Sequence, residues 1–348
     1  MRSKVTMKDV AEVVGVSVMT VSNAFNRPDQ LSIDLRERIL SRAGKMGYAG
    51  PNATARQLRA GQTHCYGVVF SQSLSYAFHD PFSVLWLAGF SEALQRAGAT
   101  MVLLPTQSAG GVDLDVIRNA SIDGLAALCA TDAALEVARR SGLHIVDTND
   151  QNPASSWVAI DDHAAGTGLG RHVRQLGHTD VAVLVGGHQA DGRPFPDTPV
   201  TIDDLPRGGL YDTSSRVRGF LAGLGDGCRI RTIIGGANSR EAGRLAGGLA
   251  VDRQDRPTAI VCSGDILAFG VMDALADRGL TPGRDITVTG FDDLPEAARM
   301  GLTTVRQPIT ERGRLTGELL LDPDRTPRQI LMPTQLVVRS SSAPRNSS

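Results

Sequence analysis

The strongest constraint on how this chain can fold is a recurring pattern of short, unbroken apolar runs separated by helix-length stretches. The runs are YGVVF (66–70), TMVLL (100–104), GLAALC (124–129), HIVD (144–147), VAVLVG (181–186), TAIVCS (258–263) and ITVTGFDD (286–293). A strand with one face in water alternates apolar and polar residues. These runs do not, so both faces must be covered. Helical stretches such as FSVLWLAGFSEALQRAG lie between several of them. The combination predicts parallel sheets with helices on both faces, and 348 residues are enough for two such sheets and a further small domain. In open sheets of this kind ligands sit beyond the carboxyl ends of the strands. Residues just after the runs are therefore the first site candidates: Ser71, Phe78, Asp147, Asp265 and Asp292. Any one of these carboxylates taken alone reads equally well as a helix cap or a loop acid.

The N-terminal sixty residues are different in kind. Thr6-Met7-Lys8-Asp9 fits a capping box, and Val10, Val13 and Val14 follow at helical spacing as one apolar stripe. Gly15 breaks that helix, and Ser17 can cap a second one whose Val21 and Ala24 face the first. A third helix starts near Ser32 and buries Leu35, Ile39 and Leu40. Two short helices joined by a tight glycine turn predict a helix-turn-helix. Val18, Met19, Thr20, Ser22 and Asn23 stay outside, mostly short enough for the floor of a DNA groove to approach. Charge points the same way: residues 1–60 hold ten Lys and Arg against five acids, while the rest holds 26 against 32. A basic module on an acidic body implies that the module meets a polyanion. A plain three-helix bundle with a polar surface is the alternative. PNATARQLRAG (51–61) then offers about two turns of helix, marginal in isolation, with Leu58 between Arg56 and Arg59. An apolar wedge between phosphate-neutralising cations suits minor-groove insertion, and an ordinary linker helix would look similar.

Together, TMKDVAEVVGVSVMTVSNAFN, the spaced PNATARQL, and GFDD followed by LTTVRQP resemble the lactose/galactose-repressor (LacI/GalR) family of bacterial transcription regulators, from about residue 5 to PTQLVVR at 333–339. The resemblance implies an all-α helix-turn-helix headpiece (1–49), a hinge helix (50–62), and an α/β two-lobed core with parallel sheets, like periplasmic sugar-binding proteins. The expected lobes are 63–160 with 293–323, and 161–292 with 324–340, followed by a disordered tail, 341–348. It also implies a homodimer on a near-palindromic operator and repression modulated by a small effector between the lobes. Residue by residue, Ser17, Thr20 and Asn26 match positions that contact the DNA backbone, and Val18, Met19 and Asn23 match base-reading positions. Thr6, Ser22, Arg56 and Arg59 complete the expected DNA set, and Leu58 matches the minor-groove wedge. For the effector the match selects nearly the same strand-end residues and adds Arg216, Asn238 and Gln307. Carboxylates, a guanidinium and amides suit a sugar, polyol or derivative.

Several departures qualify that picture. Asn23 stands where the family commonly has Arg, which shifts the expected base from guanine to adenine. Gly264 replaces a frequent ligand-binding Asn, and Asn238 a frequent aromatic wall. The Pro- and Gly-rich stretch through residues 191–212 is an insertion, read as a pocket lid or a surface loop. Catalysis lacks a motif. No GxGxxG opens a helix after a strand, and there is no GxxxxGK[ST], GxSxG or HExxH, so neither enzyme nor cofactor nor metal is expected. The four cysteines, Cys65, Cys129, Cys228 and Cys262, form no CxxC and read as free thiols in a reducing cytoplasm. With no leader and no long apolar stretch, no membrane contact is expected. A cytoplasmic solute-binding sensor without DNA specificity remains the rival reading.

Overall fold

The computed structural model describes residues 5–50, 63–70, 73–105, 114–128, 132–148, 152–186, 211–234 and 238–345. The chain separates into two compact units, Met1–Thr63 and His64–Ser348.

The first unit holds three helices: α1 (Met7–Val14), α2 (Val18–Asn26) and α3 (Ile33–Lys45). Thr6 caps α1 through the reciprocal box with Asp9, and Gly15 ends it at φ +76°. Ser17 caps α2 and Ser32 caps α3, each accepting a backbone N–H three residues on. The core is small: Val10, Ala11, Val21, Ala24, Ile39 and Ala43 are buried. Val13 is 48% exposed, against the expected stripe, because the buried side of α1 runs through Val10 and Ala11. Leu35 and Leu40 are half-buried around this core.

The second unit has two lobes. In the first, β1 (Cys65–Phe70), β2 (Thr100–Leu104), β3 (Gly124–Leu128), β4 (His144–Asp147), β5 (Ser156–Ile160) and the late strand β11 (Gln329–Met332) form one parallel sheet, ordered β11-β5-β4-β3-β1-β2. Val68 and Phe70 of β1 pack with α5 (Pro81–Arg96) and α13 (Ile309–Leu321). Val69 faces the opposite side, towards α6 (Leu114–Asn119) and α7 (Asp132–Arg140). In the second lobe, β6 (Asp180–Val185), β7 (Arg229–Ile234), β8 (Ala259–Cys262) and β9 (Thr287–Thr289) form a parallel sheet ordered β7-β6-β8-β9. It lies between α8 (Asp162–Gln175) with α9 (Tyr211–Leu224) and α10 (Arg240–Val251) with α11 (Asp265–Ala276). Both sheets are thus covered on both faces, as the unbroken apolar runs require.

Three helix pairs cross on reciprocal glycines. A Cβ on Gly89 of α5 would lie 1.8 Å from the Thr310 carbonyl, and one on Gly313 of α13 would lie 2.0 Å from that of Trp86. Gly166 and Gly219 make the same exchange between α8 and α9, at 2.3 Å from Arg216 O and from His163 O. Gly243 and Gly270 do so between α10 and α11.

Two boundaries differ from expectation. Residues 293–307 were expected in the first lobe, but β10 (Thr304–Arg306) pairs with β12 (Gln335–Val337) and bridges to the end of β9, so this stretch belongs to the second. Conversely, 324–332 joins the first lobe, because β11 extends its sheet beside β5. The expected disordered tail is also corrected as far as Arg345. Ser341 is 1% exposed; its hydroxyl donates to Val288 O (2.6 Å) and accepts from Thr303 N (2.8 Å). His178 bonds the Ala343 carbonyl at 3.0 Å. Short polar residues that look like a solvated tail satisfy strand-end backbone groups instead.

Cys65, Cys228 and Cys262 are free thiols, and Cys129 lies outside the described residues. Among the described residues no helix is long and apolar enough to cross a membrane, and no cluster of His, Cys, Asp or Glu could hold a metal ion.

Candidate functional site

On the first unit, α2 presents an apolar face that the small core does not use: Met19 is 69% and Val18 46% exposed. The polar residues around them are already held in place. Ser17 Oγ accepts from Thr20 N at 3.0 Å and lies 2.8 Å from Thr20 Oγ1. Asn26 Nδ2 donates to Ser22 Oγ, and Asn23 Nδ2 donates to Gln30 Oε1, both at 3.3 Å. Gln30 sits in the one-turn 3-10 helix Pro28–Gln30 after α2. Thr6 is committed to its capping box at the start of α1. Arg36, one of the basic residues, turns inward and bonds Ala24 O at 3.2 Å. Arg56, Leu58 and Arg59 lie outside the described residues.

In the second unit the expected ligand residues gather at the carboxyl ends of the second lobe's strands. Arg216, on α9, is buried. Its Nε and Nη2 donate to Asp162 Oδ1 at 3.0 and 2.9 Å, and its Nη1 donates to Ser263 O at 2.5 Å. The guanidinium stacks 3.6 Å above the Phe291 ring and stands 3.9 Å from Asp292 Oδ1. Asp292 has φ +121°, a backbone setting that L residues rarely adopt, and its N–H donates to Val305 O at 2.8 Å. Gln307 donates to Asp292 Oδ1 at 2.6 Å. A Cβ placed on Gly264 would lie 3.6 Å from both Asn238 Oδ1 and Asp292 Oδ2, so these three positions border one another.

The first lobe reaches this group twice. Arg312, buried on α13, donates to the Gln307 side-chain carbonyl and to Thr148 O (2.8 Å), next to Asp147 at the end of β4. Tyr76, on the short helix α4 (Leu74–His79), donates to Asn238 O at 3.3 Å and accepts from Asn238 Nδ2 at 3.0 Å. The hydrogen-bonded chain therefore runs from β4 through Arg312, Gln307 and Asp292 to the edge of Arg216. Burial pushes the Asp292 carboxyl well up from its ordinary range, against the opposing pull of Arg216. Asp80, the buried cap of α5, is raised by burial too.

Two expected members are displaced. Asp265 has no exposed surface: its carboxylate accepts from Leu294 N (2.7 Å) and Thr304 Oγ1 (2.6 Å), fastening the turn that carries Asp292 from behind. Burial pushes its carboxyl up to about 6. Phe78 is 60% exposed, and the aromatic side chain bonded at the cleft is Tyr76. Successive helix residues turn by about 100°, so positions two apart point to nearly opposite sides, and Tyr76 rather than Phe78 meets Asn238. Ser71 and residues 191–210 of the insertion lie outside the described residues. Tyr76, Arg312 and Asp162 were missed. Tyr76 carries a detectable signal, a phenol just past the first apolar run, but nothing local in TERGRL marks Arg312 as buried.

Comparison with known proteins agrees with both units. Residues 6–52 match the bacterial regulatory proteins of the lacI family. Residues 63–194 match the periplasmic binding proteins and sugar binding domain of the LacI family, and 171–342 a periplasmic binding protein-like domain. An HTH-type transcriptional regulator of Mycolicibacterium smegmatis is 35% identical, over 92% of this chain and 91% of that one. A LacI-family transcriptional regulator from Corynebacterium glutamicum, solved as a crystal structure, is 28% identical, with 98% of each chain covered and a TM-score of 0.71. The lac repressor dimer bound to operator and an anti-inducer shares the fold, at 23% identity, TM-score 0.75, and coverage of 98% of this chain and 100% of that one. The chain belongs to the LacI family of bacterial regulatory proteins and is a helix-turn-helix DNA-binding transcriptional regulator.

Proposed function

We propose that this regulator is a cytoplasmic repressor that binds a near-palindromic operator as a homodimer and is modulated by a small sugar, polyol or derivative held between its lobes. The observation that carries the DNA side is the α2 face. A methionine and a valine left exposed beside Ser17, Ser22 and Asn23 suit contact with base edges and methyl groups. Two headpieces reading two half-sites account for a symmetric operator. Leu58, between Arg56 and Arg59, is assigned to the minor groove at its centre. Asn23 favours adenine at its position, by accepting from N6 and donating to N7.

On the ligand side, Asp292, Arg216, Asn238, Gln307 and Asp147 supply acceptors and fixed donors for paired hydroxyls. The hydrogen bonds of Tyr76 to Asn238 and of Arg312 to Gln307 join the lobes around them. A ligand that changes these joints changes the relative orientation of the lobes and hence operator affinity. The coupling is reciprocal, so operator binding must change effector affinity by the same factor.

Selection of binding sites from random duplex DNA with the purified full chain, at one fixed salt concentration, tests the proposal. A near-palindromic consensus with adenine at the Asn23 position is the expected result. An empty selection is repeated with pooled neutral metabolites as candidate corepressors. No enriched site in either round would favour a solute sensor without DNA specificity.

A further inference from the structure

Asn23 lies four residues after Met19 on α2, so the two share one helix face. Its amide has a partner on one side. Nδ2 donates to Gln30 Oε1 across seven residues of chain, from the 3-10 turn that follows the helix. An asparagine amide presents its carbonyl acceptor and one of its two donor hydrogens along one edge, with the second hydrogen on the far side of the nitrogen. Spending one hydrogen on Gln30 orients the group: Nδ2 lies on the Gln30 side, its second hydrogen stays available, and Oδ1 is turned the other way. Adenine presents N7 as an acceptor beside N6 as a donor, and a bidentate Asn must meet both in one fixed order. An amide rotated by 180° would meet neither.

We infer that Gln30 is a positioning residue for base selection: it holds the Asn23 amide in the orientation that pairs with adenine, without itself reading a base. The inference rests on the assignment of Asn23 as a base-reading residue. Gln30 itself is exposed and packs into no core, so its loss leaves the headpiece folded. What it removes is preorganisation, which appears in the ratio of affinities for two bases and not in the overall grip on the phosphate backbone.

The test uses the full-length protein, with its selected operator and the same operator carrying guanine at the Asn23 position. Each duplex is titrated at several salt concentrations. The wild type should prefer adenine by roughly five- to a hundredfold, the range for one bidentate contact. Gln30→Ala should cut that ratio by about threefold or more with the salt dependence unchanged, since no phosphate contact is lost. Gln30→Glu keeps an acceptor oxygen at the same place and should restore the ratio, even though its added charge weakens binding to both duplexes. A ratio unchanged in Gln30→Ala but collapsed in Asn23→Ala would overturn the positioning role while leaving Asn23 as a base reader. A ratio unchanged in both would remove the Asn23 assignment, and this inference with it. A shallower salt dependence in Gln30→Ala would make Gln30 a backbone contact, which also overturns the inference.

Discussion

An Arg216→Met substitution keeps most of the side chain's volume while deleting its charge and the guanidinium stack on Phe291. The structure sets what is lost. Arg216 makes two bonds to Asp162, one to the Ser263 carbonyl, and stands 3.9 Å from Asp292, all at 7% residual exposure. Removing one partner of such a buried cluster costs about 3–5 kcal/mol, because the carboxylates left behind lose the charge that offsets their burial. At roughly 2–4 °C per kcal/mol, the second unit should melt about 6–20 °C lower. The loss should also depend on pH. Burial already holds the Asp292 carboxyl above its unfolded value of 3.8, and Arg216 is the main force pulling it down, so the variant's carboxyl rises further. A carboxyl raised in the folded state contributes stability that is complete below its unfolded pKa and is lost as pH climbs towards the folded one. The deficit relative to wild type should therefore be smaller near pH 5 than near pH 8, read by thermal or urea unfolding at both. Asp162→Asn, costly in the wild type, should cost far less in the Arg216→Met background. A deficit below about 1 kcal/mol, or one that is the same at both pH values, would refute the claim that Arg216 compensates these carboxylates.

Three further outcomes follow from other parts of the molecule. Gly313→Ala should destabilise the first lobe by about 1–3 kcal/mol or more, since its Cβ would lie 2.0 Å from Trp86 O; the Trp emission on unfolding reports it, and an unshifted midpoint would mean that α5 and α13 can separate freely. Ser341→Ala should cost about 1–3 kcal/mol for each buried partner it strands, Val288 O and Thr303 N, where a solvated tail would cost nothing; denaturant midpoints decide between the two. Tyr76→Phe removes only the hydroxyl that bonds Asn238, so unfolding stability should change by no more than about 1 kcal/mol while the lobes open, seen as a larger radius of gyration in small-angle scattering. An unchanged radius would mean that this bond does not hold the lobes together.

Much was determined by the sequence alone. Unbroken apolar runs can only be covered on both faces, so YGVVF, TMVLL, GLAAL, HIVD, VAVLV and AIVC became parallel strands of two sheets. Thr6 with Asp9, Gly15 and Ser17 act over a few residues, and their caps and turn were legible before any tertiary contact was known. Two strands without an unbroken apolar run carry polar residues for a structural reason. β7, with Arg229 and Arg231, and β11, with Gln329, are edge strands, where one side is unpaired and apolar continuity is not required.

Only the tertiary structure decided which strand-end residues share the cleft and which stand behind it. Asp265 and Asp292 both follow apolar runs, yet one is sealed under the other by Leu294 and Thr304. Tyr76 in place of Phe78, the inward turn of Arg312, and the docking of Ser341 and Ala343 depend on contacts with partners 162, 164, 53 and 56 residues away. Local sequence encodes periodicity and caps because their partners lie within one turn. The direction of a buried polar side chain is set by whichever distant backbone or carboxylate the fold brings within about 3 Å, and no short stretch of sequence carries that information.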